Sequence, residues 1–99
     1  HKEERFMEKI RNESTDLLCQ AILTLKNVDE VYDFLEDICT VKEIKAIAQR
    51  VVVARMLLDK KIYSDIVVQT GASTATISRV NRTLYYGKES YKMVFDRLG

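Results

Sequence analysis

Apolar positions along this chain recur three and four residues apart, and no stretch alternates residue by residue. The first spacing is one face of an α-helix; alternation would have marked a strand. The pattern therefore predicts an all-α chain of about six helices. From about Lys2 to Lys26, Phe6, Ile10, Leu17, Leu18, Ala21, Ile22 and Leu25 keep helical spacing. "NESTD" at 12–16 is where this helix could be interrupted, because Asn, Ser and Thr are poor interior residues. A helix so long has few partners within 99 residues. It either crosses the whole domain or packs against another chain.

The next segment can be capped by Asn27 or Asp29, and Val31, Phe34, Leu35 and Ile38 share a face. Thr40 followed by Glu43 has the spacing of a capping box, so a new helix starts there. Ile44, Ile47, Ala48, Val51, Arg55 and Leu58 carry it to about Asp59, where "DKKIY" breaks the pattern. A short helix over Tyr63–Thr70 should turn Ile66, Val67 and Thr70 inward. Gly71 ends it where a left-handed residue is wanted. Ser73 can cap a further helix from Thr74 to about Tyr85, which Gly87 ends. Tyr91, Val94, Phe95 and Leu98 form one face of the last segment. With no low-complexity segment or internal repeat, residues 1–99 read as a single domain.

"TGASTATISRV", residues 70–80, departs from both kinds of ordinary helix. A core helix would carry Leu there, and a solvent-facing helix Glu and Lys. Two helices joined across Gly71-Ala72-Ser73 suit a helix-turn-helix over about 63–85. Ile66, Val67, Ala72, Ile77 and Val80 fall where the helices touch. Thr74, Ala75, Ser78 and Arg79 fall on the outer face, where short side chains let the backbone approach base edges in a major groove. Arg79 can reach a guanine edge or a phosphate, and Arg82 extends the same surface. The helix start at Thr74 also favours a nearby phosphate. The alternative is a plain helical hairpin whose outer face happens to be small and polar.

Charge sharpens this picture. The net charge is only +1, but residues 1–43 carry six Lys/Arg against eleven Asp/Glu, a net of −5. Residues 44–99 carry ten against four, a net of +6. Between Lys60 and Lys88, five basic residues face Asp65 alone. A basic local surface is what phosphate contacts require, although two solvated faces of one domain would look the same. Hydrophobic content of 46% with no Pro and three Gly suits a helical protein.

Cys19 and Cys39 lie in apolar surroundings without a CxxC, so two buried, reduced thiols are expected rather than a disulfide framework. No signal peptide and no membrane-length apolar run is visible, which makes a cytoplasmic location the expectation. The chain begins at His1 rather than Met, as a fragment would, and His1 carries no functional weight. An enzyme is not expected. There is no HExxH, phosphate-binding glycine loop or metal-ligand cluster, and Cys39 beside Thr40 has no evident base.

"GASTATISRVNRTL", residues 71–84, resembles the recognition region of the bacterial tryptophan repressor and, more closely, of its YerC/YecD relatives. "CTVKEIKAIAQRVVVARMLL", residues 39–58, resembles the helices that precede it in that family without a gap. One residue is missing in the 59–65 loop. The likeness is good over roughly residues 35–87 and covers the flanking helices by layout. It implies an all-helical, intertwined homodimer that binds double-stranded DNA and regulates transcription, as a repressor in the simplest case. It also implies that Thr74, Ala75, Ser78 and Arg79 face DNA, and that Gln49 and Arg50 approach phosphate or a ligand.

The same resemblance implies an effector pocket at Thr40, Arg50, Thr76, Arg79 and Val80, since Arg50 and Arg79 match the two arginines that hold the repressor's tryptophan. Val80, however, stands where the repressor has a glycine, and a valine should fill part of the indole slot. Tryptophan as corepressor is therefore not expected, and no other cofactor is assigned. Ser64 and Val67 stand where the repressor has basic residues near DNA, so base preference should differ. The second functional reading is a helical protein-interaction and dimerisation module that does not bind DNA. Salt dependence separates the two.

Overall fold

The computed structural model of the chain describes residues 9–99. Six helices lie wholly within them, and there is no strand among the described residues: α1 (Glu13–Leu23), α2 (Val28–Ile38), α3 (Val41–Leu58), α4 (Tyr63–Thr70), α5 (Thr74–Tyr86) and α6 (Ser90–Leu98). They fall into two compact units, one ending at Cys39 and one covering Thr40–Gly99. No helix among the described residues is long and apolar enough to cross a membrane.

In the first unit, the expected long helix is divided at Asn12. The Asn12 Oδ1 accepts from the Thr15 N–H at 2.9 Å and from the Thr15 hydroxyl at 3.1 Å, so α1 starts at Glu13. Asn12 and Thr15 act as a cap rather than as weak interior residues, and Glu13 and Asp16 complement the helix dipole. The part of the expected helix before Lys9, with Phe6, lies outside the described residues. Asn27, not Asp29, caps α2, accepting from the Glu30 N–H at 2.9 Å. The Glu30 carboxylate in turn accepts from the Lys26 N–H at 3.1 Å.

Neither α1 nor α2 has a buried residue. Phe34 and Leu35 are half-buried, while Leu17, Leu23, Val28 and Tyr32 are exposed. The expectation of two buried thiols is corrected as well. Cys19 is exposed and Cys39 half-buried; α1, which carries Cys19, has no buried residue.

The second unit holds the core. Its first helix opens with the expected capping box: the Glu43 N–H donates to the Thr40 Oγ1 at 3.1 Å, and the Thr40 N–H donates to the Glu43 Oε1 at 2.8 Å. Accepting that backbone N–H holds the Glu43 carboxyl below its ordinary range. α3 packs on α4, α5 and α6, and α4 packs on α5. The fully buried residues are Val53 and Ala54 of α3, Ile66 of α4, Ala72 of the turn, and Ile77 and Val80 of α5. Burying a side chain the size of Ile66 or Ile77 stabilises by roughly 1.5–3 kcal/mol.

α6 closes one end of this core. Tyr91 and Phe95 stack with ring centroids 6.4 Å apart, and the Arg55 guanidinium carbon lies 5.7 Å from the Phe95 centroid.

Three expectations about facing are corrected. α3 buries Val53 and Ala54, whereas Ile47, Ala48 and Val51 of the predicted stripe are exposed. Val67 is 36% exposed, because in the eight-residue α4 only Ile66 reaches the core. Val94 and Leu98 are likewise exposed, and only Tyr91 and Phe95 of the predicted face meet the core. Helical spacing was right in each case; what covers the apolar face was not contained in it.

Candidate nucleic-acid interface

The turn between α4 and α5 is fixed from both sides. Gly71 is left-handed, with φ 71° and ψ 4°, and its N–H donates to the Val67 carbonyl at 2.9 Å. Only glycine adopts that backbone freely. The Thr70 hydroxyl donates to the Ile66 carbonyl at 2.7 Å and accepts from the Ala72 N–H at 3.1 Å. Gln49 of α3 donates through its Nε2 to the Thr70 carbonyl at 3.2 Å. The buried Ala72 methyl then pins the turn to the core.

Ser73 caps α5. Its Oγ accepts from the Thr76 N–H at 3.1 Å and donates to the Thr76 Oγ1 at 3.0 Å. Ile77 and Val80 anchor one side of α5 in the core, and Thr74, Ala75, Ser78, Arg79 and Arg82 are all exposed. At about 100° per residue, these five occupy an arc of roughly 140° opposite the two anchors. The first turn of α5 has no acidic residue, unlike those of α1 to α4. Neither Arg79 nor Arg82 has an ion-pair partner among the described residues. The helix thus presents short side chains, two uncompensated guanidinium groups and an unneutralised positive dipole end on one surface.

Two further residues of the expected site, Gln49 and Arg50, lie on α3. Gln49 is half-buried and its amide nitrogen is taken by Thr70, so it braces the turn from behind the exposed stripe. Arg50, its neighbour on α3, is exposed and without a carboxylate partner among the described residues. The bracing role of Gln49 and Thr70 was not visible in the sequence. The two are 21 positions apart, and the acceptor is a backbone carbonyl. The hydroxyl of Thr70 directly before Gly71 was the one available hint.

The effector-pocket residues divide in the same way. Val80 is 2% exposed and belongs to the core with Val53, Ala54, Ile66, Ala72 and Ile77. The Thr40 hydroxyl serves the α3 cap and the Thr76 hydroxyl is bonded by Ser73. Arg50 and Arg79 are exposed. A cleft of about 340 Å³ between α3 and α6 is lined by Arg55, Leu58, Asp59, Lys92, Phe95 and Asp96, and includes none of the five. No group of three or more His, Cys, Asp or Glu among the described residues could hold a metal ion.

Comparison with known proteins agrees with this architecture. The profile of the Trp repressor protein family matches residues 13–99. The chain belongs to the Trp repressor family. It is 49% identical over 92 residues to YerC of Bacillus subtilis (strain 168), covering 93% of this chain and 88% of YerC. Among solved structures it is similar to a TrpR-like protein from Eubacterium eligens, with 54% identity and a TM-score of 0.90 over 93% of this chain and 95% of that one. A Staphylococcus aureus protein solved as a candidate Trp repressor gives 48% identity and a TM-score of 0.89, covering 93% and 92% of the two chains. The all-helical, Trp-repressor-like fold expected from the sequence is the fold observed.

Family membership brings the corepressor into question. The residues of this chain do not fit an indole. The Val80 side chain is spent in the core rather than leaving a space beside α5, and the Thr40 and Thr76 hydroxyls are engaged locally. No step of the function is therefore assigned to bound tryptophan.

Proposed function

We propose that this protein is a sequence-specific DNA-binding regulator of transcription that inserts the N-terminal turns of α5 into the major groove. The observation that carries this reading is the exposed Thr74, Ala75, Ser78, Arg79 and Arg82 stripe on a helix held by the Gly71 turn. Short side chains permit close approach, and the guanidinium groups supply charge for phosphate and bases. Arg50 adds a further cation for the backbone. Membership of the Trp repressor family supports the same reading.

The acting species is a homodimer. α1 and α2 bury no residue of their own, and Leu23 is 84% exposed. Apolar helices without a core of their own are what an intertwined pair of chains would cover. A dimer presents two α5 helices to successive major grooves about one helical turn apart. Bound at a promoter it would block polymerase, so repression is the simplest mode, and the cytoplasm is where it would act. It would do so as a binding protein, not an enzyme.

The test is the salt dependence of binding to duplex DNA, with the oligomeric state measured by sedimentation. The logarithm of affinity should fall linearly with the logarithm of salt concentration, with a slope set by the phosphates contacted. Binding that ignores salt, or a monomer in solution, would refute this reading and move the protein-interaction module ahead.

A further inference from the structure

The outer face of α5 restricts which bases it can read. Each base edge has its own side-chain chemistry: a bidentate Arg or Lys for the O6/N7 edge of guanine, a bidentate Asn or Gln for adenine, an Asp or Glu accepting from the cytosine amine, and an apolar surface for the thymine methyl. The exposed stripe contains Thr74, Ala75, Ser78, Arg79 and Arg82. It has no Asn, Gln, Asp or Glu. Asn81, the one amide on α5, is half-buried, and the nearby Gln49 has its amide nitrogen committed to Thr70. The adenine and cytosine codes are thus absent from this surface, and hydroxyls accept either kind of base.

The two arginines can be sorted by position. A recognition helix reads bases with its N-terminal residues. Arg79 lies in the second turn, directly after Ser78 and four residues beyond Ala75, on the same face. Arg82 lies about 4.5 Å further along the axis, toward an end of α5 where Tyr85 and Tyr86 are exposed at 69% and 84%. Bulky rings at that end keep it out of a narrow approach, so the arginine nearer to it meets the backbone.

We infer that each protomer recognises a half-site built on one guanine, read by the Arg79 fork, with a thymine methyl seated against Ala75 and Thr74 about two base-pair steps away. Arg82 grips phosphate and reads no base. The spacing follows from the geometry: Ala75 and Arg79 are about 6 Å apart along the helix, close to two base-pair rises. This inference rests on the DNA-binding reading above and names the class of sequence that the same face selects.

The experiment measures affinity for a bound duplex and its single-base variants, at several salt concentrations, for wild type, Arg79→Lys, Arg79→Ala and Arg82→Ala. Replacing the guanine should cost wild type about 10- to 100-fold. Replacing the thymine by uracil, which removes only the methyl, should cost a few-fold. Arg79→Lys keeps the charge and loses the planar fork, so the salt slope should hold while discrimination at the guanine drops several-fold. Arg79→Ala should abolish that discrimination. Arg82→Ala should weaken all duplexes alike and make the salt slope shallower by about one phosphate.

If Arg79→Ala instead weakens every duplex equally with a shallower slope, Arg79 holds phosphate and the inference is overturned. Steep salt dependence with no guanine preference in wild type would overturn it too, with DNA binding intact. Absence of salt-dependent binding would remove the DNA-binding reading itself.

Discussion

Gln49 reaches across from α3 to hold the backbone carbonyl of Thr70, the last residue before the Gly71 turn, at 3.2 Å. This hydrogen bond adds to the core packing that holds the helix-turn-helix against α3. Because the acceptor is a carbonyl at a helix C-terminus, it has no i+4 donor of its own to fall back on. Gln49→Ala should therefore cost about 1 kcal/mol in a urea or thermal melt. It should also weaken DNA binding without changing which sequence is preferred. A variant as stable as wild type would mean that water replaces the amide at no cost.

Substitution should destabilise at both turn glycines, but only at Gly71 should Asn do better than Ala. A Cβ on Gly71 would meet nothing within 4 Å, so the only obstacle is its φ of 71°. Gly71→Ala should cost about 1–2 kcal/mol, and Gly71→Asn clearly less, since Asn tolerates left-handed backbone. At Gly87 the φ is ordinary, but a Cβ would lie 2.5 Å from the Thr83 carbonyl oxygen. Backbone must shift, at roughly 1–3 kcal/mol, and Asn should do no better than Ala. Parallel melts of the four variants check this; rescue by Asn at both sites or at neither would contradict it.

Glu43 predicts a component of the pH dependence. Its carboxyl is held below the ordinary range by the N–H of Thr40, so the folded state binds the proton less readily than the unfolded state. The contribution is complete above the unfolded carboxylate value and is lost as pH falls through the lowered folded value. Glu43→Gln keeps an amide oxygen for the Thr40 N–H but cannot titrate. Its acid-unfolding profile, followed by circular dichroism, should lack that component. Superimposable profiles for variant and wild type would remove the capping box as a source of acid sensitivity.

Ala75→Glu tests the exposed stripe by repulsion. A carboxylate in the first turn of α5 complements the helix dipole, so thermal stability should hold or rise slightly. Against phosphate the same charge should weaken DNA binding roughly tenfold or more. A stable variant with unchanged affinity would place the DNA elsewhere on the molecule.

Capped helix starts were the most legible part of the chain, because local chemistry sets them; α4 and α6 begin without a side-chain cap. Asn27, Thr40 with Glu43, and Ser73 cap as their spacing indicates. Asn12 was harder, since a polar residue within a periodic stretch can be a weak interior position or a cap, and only the bonds to Thr15 decide. Facing was less legible. Ile47, Val51 and Val94 have core-like spacing, yet are exposed in one chain. Periodicity identifies an apolar face but not whether this chain or a second copy covers it.

The exposed residues of α5 were readable from their offsets to Gly71 and the Ser73 cap. Val80 shows the limit. Its substitution for glycine suggested an obstructed ligand slot, and its place in the core is a packing fact that only the fold supplies. Gln49 also braces the turn, through a contact that leaves no pattern in the sequence.

Selection of bound sequences from a random duplex pool separates a dimeric, sequence-specific DNA binder from a protein-interaction module. The selection should be run at moderate salt, with and without added tryptophan. An enriched palindrome, with half-sites about one helical turn apart, is expected already in the pool without tryptophan. Failure to enrich any sequence in either pool would contradict the DNA-binding reading, and enrichment only with tryptophan would overturn the argument from Val80.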